Sequence, residues 1–113
     1  MSETRLVDVY SVRDLEAGTM VMTQVDDVDI LLVNLDGTIH AMQGSCAHEY
    51  ANLAEGELEG ATLTCALHFS MFDVRDGSVL RGPAGKPLVT YPVEIVSGRV
   101  NLRLPIGAIP VNE

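Results

Sequence analysis

The chain has 113 residues and a mass of 12.2 kDa, and 47% of it is hydrophobic; that is the scale of one domain around one modest core and excludes a disordered tail. Seven Lys and Arg stand against sixteen Asp and Glu, a formal charge of −9 and an isoelectric point near 4.5, so nucleic acid and anionic membranes are repelled. The opening residues Ser2–Asp8 lack the basic and apolar stretches of an export signal, and the longest aliphatic run, Ile30-Leu31-Leu32-Val33, is too short to span a bilayer, which makes a cytoplasmic protein the expectation.

In chain order, alternating and β-branched stretches predict strands over Arg5–Tyr10, Thr19–Val25, Val28–Leu35, Thr38–Gln43, Ala61–Thr64, Met71–Arg75, Ser78–Leu80, Leu88–Val96 and Arg99–Leu104. Between them, Asp26-Asp27, Asp36-Gly37, Asp76-Gly77 and Ser97-Gly98 suit tight hairpins, because Gly and Asx residues tolerate positive φ. One helical turn is expected over Val12–Ala17, capped by Ser11. The pattern is all-β, a small antiparallel barrel or sandwich. Two stretches break the meander. Gly44–Gly60 reads as long, polar and irregular, and Arg81–Pro87 holds prolines that cannot lie in a central strand. Pro105–Glu113 reads as a tail, packed or free.

The chemistry lies in those breaks. Cys46-Ala47-His48 is followed, after sixteen residues, by Cys65-Ala66-Leu67-His68. With no export signal a disulfide between the two cysteines is not expected. Two thiolates and two imidazoles make a metal-site composition, with zinc and iron–sulfur readings both open. Zinc modules pair cysteine with cysteine and histidine with histidine, whereas here each pair is mixed. A [2Fe–2S] centre with two cysteines on one iron and two histidines on the other explains the mixing better, because each loop then supplies one ligand of each kind.

Cys-x-His…Cys-x-x-His at this separation resembles the Rieske [2Fe–2S] signature. The run Cys65-Ala66-Leu67-His68-Phe69-Ser70-Met71-Phe72-Asp73-Val74-Arg75-Asp76-Gly77 is similar to the second cluster loop of small Rieske ferredoxins that serve bacterial aromatic-ring dioxygenases, such as the biphenyl, toluene and naphthalene systems. Gly82-Pro83-Ala84, Pro87-Leu88 and Tyr91-Pro92-Val93 resemble that family's proline loop and closing strand, and the likeness runs from about Leu6 to Leu104.

The resemblance implies the Rieske fold, with a base of residues 1–43 and 86–113 and an inserted cluster-binding subdomain of residues 44–85. It implies one [2Fe–2S] cluster held by Cys46, His48, Cys65 and His68, with Phe69, Ser70, Phe72 and Pro83 around it. It also implies a non-catalytic, one-electron carrier between an NADH-dependent flavin reductase and a terminal ring-hydroxylating oxygenase, as a monomer or weak dimer. The alternatives are a Rieske subunit of a nitrite-reductase-type complex and, in another class, a zinc-binding interaction module. An oxygenase proper needs a further mononuclear iron site, and once His48 and His68 are used only His40 remains.

Several positions depart from the family pattern. Ala51 and Leu67 stand where respiratory Rieske proteins carry an extra cysteine pair, so the loop staple is absent. Phe69 stands where many members have Gly. Ser70 stands where high-potential members place a serine that hydrogen-bonds a bridging sulfide, and Phe72 replaces their tyrosine. Two ferric ions, two sulfides and two thiolates sum to zero charge, so an electron is accepted more readily than by an all-thiolate centre, and a potential near the low end of roughly −150 to +300 mV is expected. Beyond the ligands, His40 and Met42 read as structural, Met71 as a gap filler, and Phe69 and Phe72 as core or as a shield against water. Glu49, Glu55, Glu57 and Glu59 in the first loop are the acidic residues expected to meet a basic partner face.

Overall fold

The computed structural model describes residues 3–46, 51–66, 69–82 and 85–112. Among them the strands are β1 (Thr4–Ser11), β2 (Met20–Val25), β3 (Val28–Leu35), β4 (Thr38–Gln43), β5 (Glu57–Glu59), β6 (Thr62–Thr64), β7 (Met71–Asp73), β8 (Val79–Arg81), β9 (Thr90–Tyr91), β10 (Val93–Val96) and β11 (Arg99–Pro105). They form three antiparallel sheets in the orders β1-β11-β10, β2-β3-β4-β9 and β5-β6-β7-β8.

Three hairpins form where the turn pairs predict them. Asp26 and Asp27 have φ of 49° and 65°, Asp36 and Gly37 of 51° and 95°, and Ser97 and Gly98 of 49° and 77°. Two successive left-handed residues match the right-handed twist of the flanking strands, which is why Asx and Gly are found there. The resulting registers, Val25 opposite Val28, Leu35 opposite Thr38 and Val96 opposite Arg99, leave no slack.

Strand β3 is the centre of the molecule. Ile30, Leu31, Leu32 and Val33 are all fully buried, because successive side chains point to opposite faces and both faces are covered. Ile30 and Leu32 pack with Ile39, Ala41, Val100, Leu102 and Leu104. Leu31 and Val33 pack with Met42, Leu53, Leu63, Phe72, Val74 and Leu88, in the same cluster as Cys46 and Cys65. The unbroken aliphatic run therefore serves two cores, and the second of them carries the cysteines.

Three expectations need correction, and one left open is decided. Leu88–Val96 is not one strand: Thr90–Tyr91 pairs with β4, Val93–Val96 pairs with β11, and Pro92 stands at the switch between sheets, where its missing N–H is tolerated. The stretch 44–60 is not wholly irregular, since it contains a 3-10 turn at Leu53–Glu55 and the strand β5. The turn after β1 is a single 3-10 turn, Val12–Asp14, and the Ser11 side chain makes no capping hydrogen bond. The segment after β11 packs: Ile109 is buried and the Tyr91 hydroxyl donates to the Pro110 carbonyl at 2.6 Å. Burial pushes the Tyr91 phenol up to about 12, so it remains a donor at neutral pH.

Candidate metal centre

The first cysteine loop springs from the end of β4. Gly44 donates its N–H to the Asp29 carbonyl at 2.8 Å and accepts from the Leu53 N–H at 2.9 Å. Ser45 and Asn52 form an isolated antiparallel bridge, and Cys46 N–H donates to the Ala51 carbonyl at 3.0 Å. The Asn52 side chain then accepts from Ala54 N–H at 2.9 Å and caps the 3-10 turn that follows.

The second loop joins β6 to β7. Cys65 N–H donates to the Ser70 carbonyl at 2.8 Å, directly beyond the ladder pair Thr64–Met71. The two loops thus share one construction: each cysteine amide donates to the carbonyl five residues on, which closes a short loop above it. Both cysteines are buried, at 1% and 0% exposure, and neither is in a disulfide. Gly56 brings the loops together. A Cβ at that position would collide with the Thr64 carbonyl oxygen, so the 3-10 turn after the first loop lies directly against the residue before Cys65.

A third segment closes the site from the side of β8. Gly77 N–H donates to the Asp73 carbonyl at 2.7 Å, and Leu88 N–H donates to the Gly77 carbonyl at 2.8 Å. Gly77 has a φ of 79°, and a Cβ there would meet the Leu88 carbonyl, so only glycine fits this crossing. Beside it, Arg75 forks onto both oxygens of Asp73, at 3.0 and 2.7 Å. That guanidinium bond and the Arg75 backbone N–H hold the Asp73 carboxyl at about 2, below its usual 3.8.

Of the residues singled out from sequence, Cys46 and Cys65 converge in one buried cluster. Phe72 is fully buried among them, as a core residue should be, and Ser70 is 1% exposed at the end of the second loop. Phe69 does not fill the core. It is 69% exposed at a φ of 59°, a conformation that is costly for a side chain and free for glycine; this is the physical reason glycine suits the position. Phe69 instead flanks a cleft of about 250 Å³ beside Cys65, lined also by Glu55, Gly56, Glu57 and Thr64. Glu55, Glu57 and Glu59 are exposed and Ala51 is buried. His40 is half-buried in β4, opposite Val33. His48, His68, Pro83, Glu49 and Leu67 lie outside the described residues.

The description "Rieske [2Fe-2S] domain" matches residues 5–92. The chain belongs to the Rieske [2Fe–2S] family. The ferredoxin component of the naphthalene 1,2-dioxygenase/salicylate 5-hydroxylase systems of a Ralstonia species is 36% identical over 98 residues, 87% of this chain and 94% of that one. The Sphingomonas yanoikuyae B1 ferredoxin superposes with a TM-score of 0.84 at 26% identity, over 89% of this chain and 100% of that one. A structure described as a complex of reduced oxygenase and oxidized ferredoxin in carbazole 1,9a-dioxygenase contains a chain that superposes with a TM-score of 0.80 at 26% identity, over 86% of this chain and 91% of that one.

The cofactor of this Rieske protein is a [2Fe–2S] cluster, and the zinc reading falls with the family assignment. The donor set fits: two thiols with no disulfide stand at the feet of two matched loops in a water-excluding apolar cluster. What sequence reading missed is the frame, namely Gly56, Asn52, Gln43 and the crossing of the Gly77 turn against Leu88. Gly56 and Gly77 stand out in the sequence only as glycines inside a loop and a turn; nothing local marks the two amides.

Proposed function

We propose that this chain carries single electrons to a terminal oxygenase of the ring-hydroxylating kind, with Cys46, His48, Cys65 and His68 as the ligands of its cluster. When bound, the cluster takes up and gives back one electron. The chain's own residues do the rest. Cys46 and Cys65 supply the buried thiolates, and Leu63, Phe72 and Val74 exclude water around them, which favours a neutral centre over a charged one. Ser70, buried at the end of the second loop, is the residue we assign to tuning the potential. Residues 44–85 are proposed as the cluster-binding unit on a base of residues 1–43 and 86–113; in support, β5 to β8 lie wholly inside that range and the other sheets wholly outside it.

The observation that carries this reading is the near end-to-end match to a stand-alone ferredoxin component, 94% of its length, together with the two cysteine loops closed alike on one buried cluster. That match favours an oxygenase system over a nitrite-reductase-type complex. Electrons are proposed to arrive from an NADH-dependent flavin reductase in the cytoplasm, to a monomer or weak dimer. Exposed Glu55, Glu57 and Glu59 on a chain of charge −9 steer encounter with a basic face, and the encounter slows as salt rises.

Reconstitution tests the reading. With a naphthalene-dioxygenase-type oxygenase and a flavin reductase, hydroxylated product should form only when this chain is added. A chain that the reductase reduces but that passes no electrons to any such oxygenase would refute the partner assignment.

A further inference from the structure

Gln43, the last residue of β4, is 1% exposed, and its side-chain amide is fully used. Oε1 accepts from Val89 N–H at 2.8 Å and from Asn112 N–H at 2.9 Å. Nε2 donates to the Ser45 carbonyl at 2.9 Å and to the Asn112 carbonyl at 2.9 Å. A primary amide has two acceptor sites and two N–H donors, so all of its capacity is spent. Its orientation is forced, because flipping the amide would set two N–H groups against Nε2 and two carbonyls against Oε1. Glu lacks the donors, Met lacks both kinds of group, and Asn is a methylene shorter.

These four bonds join three segments that are distant in sequence. Ser45 is the residue before Cys46, Val89 follows the crossing at Leu88, and Asn112 lies in the C-terminal segment. The Asn112 side chain also donates to the Pro87 carbonyl at 2.7 Å, and Gln43 N–H donates to the Val89 carbonyl at 2.9 Å. The first loop therefore takes its footing from the far end of the chain.

We infer that Gln43 is a positioning residue for the Cys46 loop and that the C-terminal segment, through Asn112, strap-fastens that loop to the closing segment at 87–89. The inference rests on Cys46 being a cluster ligand. A satisfied buried network rigidifies what it joins, and removing its centre leaves several buried groups unpaired at once. The consequence is a first loop that opens more often and a cluster that is lost more readily.

Asn34 is the internal control. It is a buried amide too, at 7% exposure, donating to the Leu15 carbonyl at 2.8 Å and accepting from Gly37 N–H at 2.7 Å. It belongs to β3 and fastens the base, away from the cysteine loops. In the intact, cluster-loaded chain, Q43M should release iron to a chelator on the order of tenfold faster than wild type, the scale expected from the loss of several buried hydrogen bonds. Its EPR spectrum should broaden, and the peptide spanning residues 43–53 should exchange its amide hydrogens faster. Q43E, which sets a buried carboxylate oxygen against the Ser45 and Asn112 carbonyls, should release iron at least as fast as Q43M. Deletion of Val111–Glu113 should reproduce the direction of Q43M. N34A should lower the melting temperature yet leave iron release, EPR and exchange at 43–53 as in wild type.

Wild-type iron release in Q43M, or equal acceleration in N34A, would overturn the inference. If Q43M does not fold, the deletion decides alone, and wild-type release and exchange there would overturn it. Failure of the ligand assignment is separate: it would show in the wild-type EPR spectrum, while exchange at 43–53 still reports whether Gln43 holds the loop.

Discussion

The two cysteine loops reach the same closure by different means. The second is a local product: β6 and β7 pair Thr64 with Met71, and Cys65 and Ser70 continue that ladder by one step. The first is assembled from a distance, through Asp29, Leu53, Gln43 and, by way of Gln43, the C-terminal segment. One loop is written into a hairpin, and the other depends on the whole fold. Each cysteine thus rests on its own support, and damage to either should reach the cluster that both line.

The largest break is removal of a thiolate. Cys46→Ser and Cys65→Ser should each abolish the visible absorption and the bound iron, because metal binding and local order are linked. The comparison is sharpened by where order is lost. Hydrogen exchange should rise in β5 to β8, three-residue strands that depend on their loops, while the eight-residue β1 and β3 keep their protection. Equal loss in all three sheets would contradict the proposed division into a cluster-binding unit and a base.

The next break separates the loops while leaving both cysteines. Gly56→Ala drives a methyl into the Thr64 carbonyl, a backbone atom that cannot swing away. Overpacking of that kind costs about 1–3 kcal/mol, measured as a lower urea midpoint, and iron release should accelerate with it.

The second loop can also be relaxed. Phe69 holds a left-handed φ of 59° while 69% exposed, so its side chain returns little packing for the strain. Phe69→Gly should leave stability unchanged or raise it by up to about 1 kcal/mol, since the left-handed penalty of about 1–2 kcal/mol is partly offset by glycine's unfolded-state entropy. A clear loss of stability would mean that Phe69 is held by contacts beyond its own loop.

How much of this was legible follows from which bonds are local. The three two-residue hairpins were readable because Asp-Asp, Asp-Gly and Ser-Gly place tolerant residues where both φ values are positive. The family and its [2Fe–2S] cofactor were readable from the Cys-x-His and Cys-x-x-His spacing. Glu57–Glu59 was not read as a strand, because Glu-Leu-Glu has weak β propensity and becomes a strand only by pairing with Thr62–Thr64. Pro92 did signal a break within Leu88–Val96, and the longer β-branched run hid it. Gln43 was invisible, since a glutamine ending a strand looks like surface until Asn112, 69 residues away in sequence, is brought to it.

The smallest effect is confined to acid. Asp73 sits at the end of β7 with its carboxyl held at about 2 by the Arg75 guanidinium, against 3.8 when unpaired. A carboxyl depressed by folding adds stability above its unfolded value and loses that contribution as pH falls through its folded value. The difference in urea midpoint between wild type and Asp73→Asn should therefore be full above about pH 4 and shrink toward about pH 2. In Arg75→Met the Asp73 titration followed by NMR should move up toward 3.8; no movement would remove the ion pair as its cause.

The ligand set proposed for the single [2Fe–2S] cluster is two cysteines and two histidines, one of each per loop. Pulsed EPR of the dithionite-reduced protein, with iron and labile sulfide counted, tests it most directly. About two irons and two sulfides per chain are expected, with a rhombic signal whose average g lies below that of all-thiolate clusters and strong coupling to two imidazole nitrogens, one of them lost in each of His48→Cys and His68→Cys. A reduced cluster with no nitrogen coupling, or a colourless protein carrying one zinc, would contradict it.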